Sequence, residues 1–117
     1  KVICAVDCGI LVNPIGGNNQ AVGGIIDGIG HAMYGDFEFK KGVPNSKNFD
    51  KFELIRMNQT PKVEVHFVKN DFSPTGLGEP TLPPVGAAIS NAIYKAMGVR
   101  LYKQPFSKEL KLKNIIG

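Results

Sequence analysis

The chain has 117 residues, 43% of them hydrophobic, with a formal net charge of +4 and two cysteines. This length suits a single domain with a modest core, and the sequence has no apolar run of about eighteen residues that would predict a membrane span. No aromatic or arginine stacking pattern accompanies the basic residues, so nucleic-acid binding is disfavoured. The lysines near the end, Lys103, Lys108, Lys111 and Lys113, predict a solvated tail.

The first segment, residues 1–7, is rich in Val, Ile and Cys and predicts a buried strand, and Asn13-Pro14 and Gly16-Gly17 predict a turn after it. On an extended strand Cys4 and Cys8 would lie about 13 Å apart, beyond the reach of a disulfide. We therefore expect reduced thiols. Without CxxC spacing or partner histidines, metal ligation by this chain is not expected.

From about Asn19 to Tyr34, apolar residues recur at helical spacing and predict the first helix. Four glycines interrupt this pattern: Gly23, Gly24, Gly28 and Gly30. Each glycine costs a helix up to about 1 kcal/mol relative to alanine. Either neighbouring elements pack very close to the helix or a ligand lies against its backbone, and the sequence leaves both open. The glycines fit neither a dinucleotide fingerprint nor a phosphate loop.

Strand patterns follow: residues 36–40 alternate, Lys41-Gly42 predicts a hairpin turn, and residues 49–56 and 63–68 predict two later strands. This pattern favours an antiparallel sheet. The predicted buried face of the sheet contains Phe37, Phe39, Phe52, Leu54, Val63, Val65 and Phe67. His31 and His66 have no visible partner, so we expect them to be structural or surface residues.

The second helix is predicted over residues 85–97, with prolines before it and Gly98 as its C-terminal cap. Shortly before it stands the segment GLGEP, residues 76–80. Pro80 fixes its own φ angle and biases Glu79 towards an extended conformation, so one carboxylate is held on a stiff turn. Such a glutamate could act as a general base; the alternative is an ordinary surface turn.

The block GLGEPTLPPVGAAISNAIYKAMGVRLYKQPF resembles the C-terminal signature of the large, molybdenum-cofactor-binding subunit of the xanthine dehydrogenase and aldehyde oxidase family. The segments AVDCGILVNP, NQAVGGIIDGIGHAMYG and FELIRMNQTPKVEVHFV agree with that family in order and character. The likeness runs from about Val2 to Phe106 and is nearest to the bacterial isoquinoline 1-oxidoreductase type. From this resemblance together with the predicted helices and strands, we expect an α+β fold in which two helices pack on a mostly antiparallel sheet.

The resemblance also implies roles for individual residues. Glu79 would be the catalytic base, and Gln20 and Gly78 would contact a molybdenum–pterin cofactor, whose form, with or without a cytosine dinucleotide, the sequence leaves open. Gln20 matches the glutamine of the family motif QxEGG, although Val22 stands where the family has glutamate. The alternative is that Gln20 satisfies backbone donors at the start of a helix.

Members of this family are several times longer than 117 residues, so we expect residues 1–117 to be one partial domain, the C-terminal segment of the cofactor-binding domain. Expected partners are the remainder of the large subunit, an iron–sulfur small subunit and a small-molecule substrate, an N-heterocycle or an aldehyde. The isolated chain is expected to be inactive. Two alternatives remain: a non-catalytic scaffold or subunit-interaction domain, and a small ligand-binding module built on the glycine-rich helix. The sequence does not decide between a cytoplasmic and a periplasmic location.

Overall fold

Two strands far apart in the sequence form the longer strand pair of the computed structural model, which describes residues 1–116. With strands numbered in chain order, β1 (Val2–Val6) pairs in parallel with β4 (Val63–Phe67). The short strands β2 (Phe39–Lys40) and β3 (Val43–Pro44) form an antiparallel hairpin. The α+β class is confirmed, but the pairing of the longer strands is parallel because a helix crosses over between them, as parallel strands require.

Helix α1 (Pro14–Met33) begins five residues earlier than the sequence predicted. The side chain of Asn13 accepts a hydrogen bond from the Gly16 N–H at 2.9 Å, which caps the helix, and Pro14 occupies the first helical position. Asn-Pro and Gly-Gly are turn signals in general, but asparagine is also a preferred N-cap and proline a preferred first residue of a helix. The predicted turn is therefore the first turn of α1.

Close packing accounts for two of the glycines in α1. A Cβ atom added to Gly24 would lie 2.5 Å from Thr81 Oγ1, and one added to Gly28 would lie 2.9 Å from the Leu82 carbonyl oxygen and from Val85 Cβ. The segment that leads into the second helix thus lies directly on the backbone of α1. Gly23 is different, because a Cβ there would meet nothing within 4 Å.

Helix α2 (Pro84–Met97) matches its prediction closely. It ends at Gly98, whose φ of 71° is left-handed and whose N–H donates to the Tyr94 carbonyl oxygen at 2.8 Å. Val85 of α2 packs with Ile25 and Ile29 of α1 in one cluster of the core. The packing of α2 on α1 therefore also keeps the segment that precedes α2 against α1.

A third helix, α3 (Phe106–Leu112), stands where the sequence predicted a solvated tail. Phe106 and Leu110 are buried against Ala32 and Leu101, which form the second cluster of the core. The sequence did not predict this helix because its apolar stripe has only two buried residues, which stand among basic residues. Lys108 remains exposed and pairs with Asp36 at 3.1 Å and with Glu38 at 2.7 Å.

The predicted strand over residues 49–56 is wrong, since the described residues form turns and irregular backbone there, followed by a short 3₁₀ helix (Met57–Gln59). Asn48 accepts hydrogen bonds from Phe49 through its side chain and from Phe52 through its carbonyl oxygen, and such local bonds compete with strand pairing. The hairpin turn at Lys41-Gly42 is confirmed.

Of the residues predicted for the buried face of the sheet, Val63, Val65 and Phe67 on β4 are half-buried, but the phenylalanines before the hairpin turn are exposed. Phe37 is 52% exposed and Phe39 is 65% exposed, while their rings meet edge to face at 5.1 Å between centroids. The strand they were assigned to is short, so alternation does not bring them under a helix. Cys4 and Cys8 are both free thiols. No helix among residues 1–116 has the length and apolarity needed to cross a bilayer.

Candidate functional site

The last two residues of the segment GLGEP open a tight turn that leads into α2. The Leu82 N–H donates to the Glu79 carbonyl oxygen at 3.0 Å, so Glu79 opens a four-residue turn with Pro80 in its second position. Proline is favoured there because its fixed φ matches the backbone that such turns need. The local sequence therefore fixes the backbone on which the Glu79 side chain stands.

Two hydrogen bonds tie this turn to neighbouring residues of α1. The side-chain amide nitrogen of Gln20 donates to the Gly78 carbonyl oxygen at 2.9 Å, and the Thr81 hydroxyl donates to the Ala21 carbonyl oxygen at 3.1 Å. A carbonyl oxygen only accepts, which settles the orientation of the Gln20 amide. Glu79 thus lies between two anchored residues, and the structure brings together the three site residues predicted from the sequence.

Thr81 is the anchor that the sequence did not reveal. It is only 4% exposed, and its hydroxyl fits over Gly24, where any side chain would collide with it. A threonine shortly before a helix reads as an N-cap, yet the N-cap residue of α2 is Pro83, whose side chain makes no capping bond. The only sequence signal for this contact was Gly24, because a glycine inside a helix indicates that another residue packs closely on the helix backbone without indicating which one.

The Glu79 side chain is exposed and forms neither a hydrogen bond nor an ion pair with another residue of the range 1–116. Its backbone, in contrast, is fixed by the turn and by the bonds of Gly78 and Thr81. Glu79 therefore presents a free carboxylate from a fixed backbone, and such a group can accept a proton from a group brought next to it.

A cleft of about 380 Å³ opens beside the Gln20–Gly78 bond. Leu11, Val12 and Leu77 supply apolar wall, while Asn13 and Gln20 supply amide groups. Gly78 forms part of the rim, and Glu79 follows it directly in the chain. The cleft can therefore receive a molecule with flat apolar surface and several hydrogen-bonding atoms.

Three exposed glycines close in sequence to Gln20 and Gly78 or at Gly78 itself leave their backbone open, whereas Gly17, which lines the cleft, is covered by Leu11 and Leu77. A Cβ atom added to Gly23, Gly76 or Gly78 would meet nothing within 4 Å. Gly23 lies three residues after Gln20 on α1, so the two share a face of the helix. A ligand could therefore approach the backbone at these glycines.

The histidines lie away from this site. His66 is exposed and its Nε2 lies 2.9 Å from Glu64, and His31 lies 3.7 Å from Asp27. Lys1, and then His66, lower the pKa of Glu64 by hydrogen bonding to its carboxylate. Within residues 1–116, no group of three or more His, Cys, Asp or Glu side chains is placed to hold a metal ion.

Comparison with known proteins gives matches over most of the chain. Residues 1–61 match the family model described as a molybdopterin cofactor-binding domain. The chain is 34% identical over 110 residues to the isoquinoline 1-oxidoreductase subunit beta of Brevundimonas diminuta, a match that covers 94% of this chain. It is 35% identical over 105 residues, or 90% of this chain, to a membrane-bound aldehyde dehydrogenase (pyrroloquinoline-quinone) of Gluconacetobacter polyoxogenes.

The fold has close counterparts among solved structures. The quinoline 2-oxidoreductase of Pseudomonas putida 86 superposes with a TM-score of 0.81 at 19% identity, over 95% of this chain and 15% of that chain. This likeness concerns the fold. The matched regions amount to 14% of the length of each of the two curated relatives, so the chain corresponds to a small part of proteins of that kind.

Proposed function

The chain belongs to the molybdopterin cofactor-binding domain family, and from this premise we propose that it supplies the general base and a cofactor contact to a molybdenum hydroxylase. The single observation that carries the proposal is the Gln20–Gly78 hydrogen bond of 2.9 Å. It joins the glutamine before the glycine pair of α1 to the turn that presents Glu79. Two motifs far apart in the sequence are thereby combined in one site.

In this proposal residues 1–117 are one partial domain, the C-terminal segment of the cofactor-binding domain of a larger subunit. The match to 14% of each curated relative supports this view. The proposed partners are the remainder of that subunit and an iron–sulfur subunit that carries electrons away. One relative is by name a subunit beta, which supports an assembly of several chains. The isolated chain is proposed to be inactive, because most of the pocket would lie outside it.

The residues around the cleft fit a pterin cofactor. Gln20 and Asn13 supply side-chain amides, and the open backbone at Gly78 lets a flat ring system approach closely. We propose that Gln20 and Gly78 hold this cofactor, with or without a cytosine dinucleotide extension. When bound, the molybdenum–pterin cofactor would supply the redox chemistry of the reaction by accepting electrons from the substrate.

The chain's own residues would handle the proton. Hydroxylation of a C–H bond with oxygen from water releases protons, so a base must stand where the oxygen is delivered. The Glu79 carboxylate would accept that proton at one of its two free oxygens. The turn of Glu79 and Pro80, anchored at Gly78 and Thr81, would keep the backbone of Glu79 in one position and so lower part of the entropic cost of placing its carboxylate.

The proposed substrate is a small N-heterocycle or an aldehyde. Names of relatives support both classes, since one is an isoquinoline oxidoreductase and another an aldehyde dehydrogenase.

The test is the molybdenum, pterin and pyrroloquinoline-quinone content of the purified full-length protein, followed by turnover on an N-heterocycle panel and an aldehyde panel. The quinone is included because the name of one relative specifies it. We expect molybdenum and pterin together with turnover on at least one panel. A fully folded protein with neither the molybdenum–pterin cofactor nor the quinone would make the chain part of a scaffold. A protein that contains the quinone but no molybdenum would overturn the cofactor assignment.

A further inference from the structure

One edge of strand β1 has no partner among residues 1–116. The Val2 N–H donates to the Lys62 carbonyl oxygen at 2.9 Å, and the Val6 carbonyl oxygen accepts from the Val68 N–H at 2.8 Å, so these residues direct their backbone groups to β4. Backbone groups alternate in direction along a strand. Ile3 and Ala5 therefore direct their N–H and C=O groups to the opposite edge.

An apolar groove of about 550 Å³ runs along this free edge. One wall is the backbone of β1, and the other is the stripe of α2 that contains Ala88, Ile89, Ala92 and Ile93. Ile3 beside it is 65% exposed. The groove thus combines unpaired backbone groups with an uncovered apolar helix face. An unpaired strand edge is a template for pairing with another strand, and an exposed apolar patch is typical of an interaction site.

We propose that this groove binds a β-strand with alternating apolar residues, contributed by the remainder of the longer polypeptide. The strand would pair with Ile3 and Ala5 through main-chain hydrogen bonds and place its inward side chains on Ala88, Ile89 and Ala92. Strand addition at an open edge uses this combination of backbone pairing for affinity and side-chain pockets for specificity. It extends the two-stranded pair of β1 and β4 to three strands.

The length of polypeptide outside the matched region points to the occupant of the groove. The matched region is 14% of each curated relative, so a homologous polypeptide has ample chain outside this segment to supply a strand. Val2 and Cys4 pack against Ile25, Ile29 and Val85, so the core holds β1 with its free edge along the groove. The inference does not depend on the roles of Glu79 and Gln20.

The first test substitutes proline at Ala5 in the full-length protein. Ala5→Pro removes an N–H that β4 does not use, and a free edge tolerates proline whereas a central strand does not. Ala5→Ser keeps the N–H and is the matched control. We expect Ala5→Pro to lower the thermal unfolding midpoint by several degrees and Ala5→Ser to leave it within about one degree. Equal midpoints for both variants would overturn the proposal.

A second measurement needs no substitution on the strand. In the full-length protein, the Ile3 and Ala5 amides should exchange hydrogen as slowly as those of Val2 and Val6. Fast exchange at Ile3 and Ala5 alone would show a bare edge and overturn the proposal. Exchange that becomes fast on dilution, together with a change in oligomeric state, would show that a second copy occupies the groove, which also contradicts it.

Neighbouring alanines of α2 provide a further control. Ala88 lines the groove and Ala87 does not, although both are exposed in the described chain. Ala88→Glu should reduce the yield of folded full-length protein because a charge would be buried, while Ala87→Glu should not. If both variants gave full yield, the groove would be open to solvent and the proposal wrong.

Discussion

The side chain of Gln20 and the backbone carbonyl of Gly78 are joined by a hydrogen bond of 2.9 Å across 58 residues of sequence. The bond holds one end of the turn that carries Glu79, and the Thr81–Ala21 bond of 3.1 Å holds the other. Both bonds end on adjacent residues of α1. The position of the proposed base is therefore set by the helix that also bears the proposed cofactor contact.

Replacing Gln20 by alanine in the full-length protein should lower cofactor content or turnover by about 10- to 100-fold, the usual effect of removing a group that orients a cofactor-site residue. Stability should change by less than about 1 kcal/mol because the bond is exposed. Asn19→Ala is the matched control on the same helix. The measurements are molybdenum content and kcat, and equal values for the two variants would contradict the role given to Gln20.

Thr81→Val should reduce kcat several-fold and leave KM nearly unchanged, since the variant frees the turn without touching the cleft. The loss of one buried hydrogen bond should also cost about 1 kcal/mol of unfolding free energy. Thr81→Ser retains the hydroxyl and should recover most of the kcat. A serine variant as impaired as the valine variant would show that the methyl group, and not the hydroxyl, holds the turn.

The adjacent glycines at 23 and 24 should respond in opposite ways to alanine. Gly24→Ala brings a Cβ to 2.5 Å from Thr81 Oγ1 and should destabilise the protein by about 1–3 kcal/mol despite the better helix propensity. Gly23→Ala meets nothing within 4 Å and should leave stability unchanged or raise it, while cofactor content falls if the cofactor approaches there. Thermal unfolding and metal analysis of the two variants check this, and equal stability would contradict the packing described.

Glu109 should make stability depend on pH in acid. The N–H groups of Lys103 and Tyr102 each donate to its carboxylate at 2.9 Å and lower the pKa of Glu109 from its usual value of 4.5. Because the pKa is lower in the folded state, this stabilisation is present above the unfolded value and is lost as pH falls through the folded value. Glu109→Gln should be less stable than the wild type at neutral pH, and the difference should narrow below about pH 4.5. A difference that stays constant with pH would rule out the carboxylate as its source.

The sequence predicted those elements whose signals are local. The period and the glycine cap of α2 are contained within one segment, and its prediction is confirmed. The strands β1 and β4 were also located, but their parallel pairing depends on a crossover that no local pattern records. Helix α3 was missed because its two buried residues, Phe106 and Leu110, stand among lysines that dominate the composition of the segment.

For the site, the sequence predicted Glu79, Gln20 and Gly78 through motif resemblance, and the structure places them together. It could not predict Thr81, because its partner is a backbone carbonyl of α1 that the sequence does not distinguish from any other. Phe52 and Leu54 were assigned to a sheet face that does not form. Alternation predicts a buried face only where a strand forms, and local turns at Asn48 replace the strand there.

The most direct test of the central claim is turnover of the full-length Glu79→Gln variant, with molybdenum and pterin content measured on the same sample. Glutamine preserves the shape of the side chain and removes the base. We expect unchanged cofactor content and a fall in kcat of about 10²- to 10⁴-fold, the contribution typical of general base catalysis. Wild-type turnover in a fully loaded variant would contradict the account, because another group would then accept the proton.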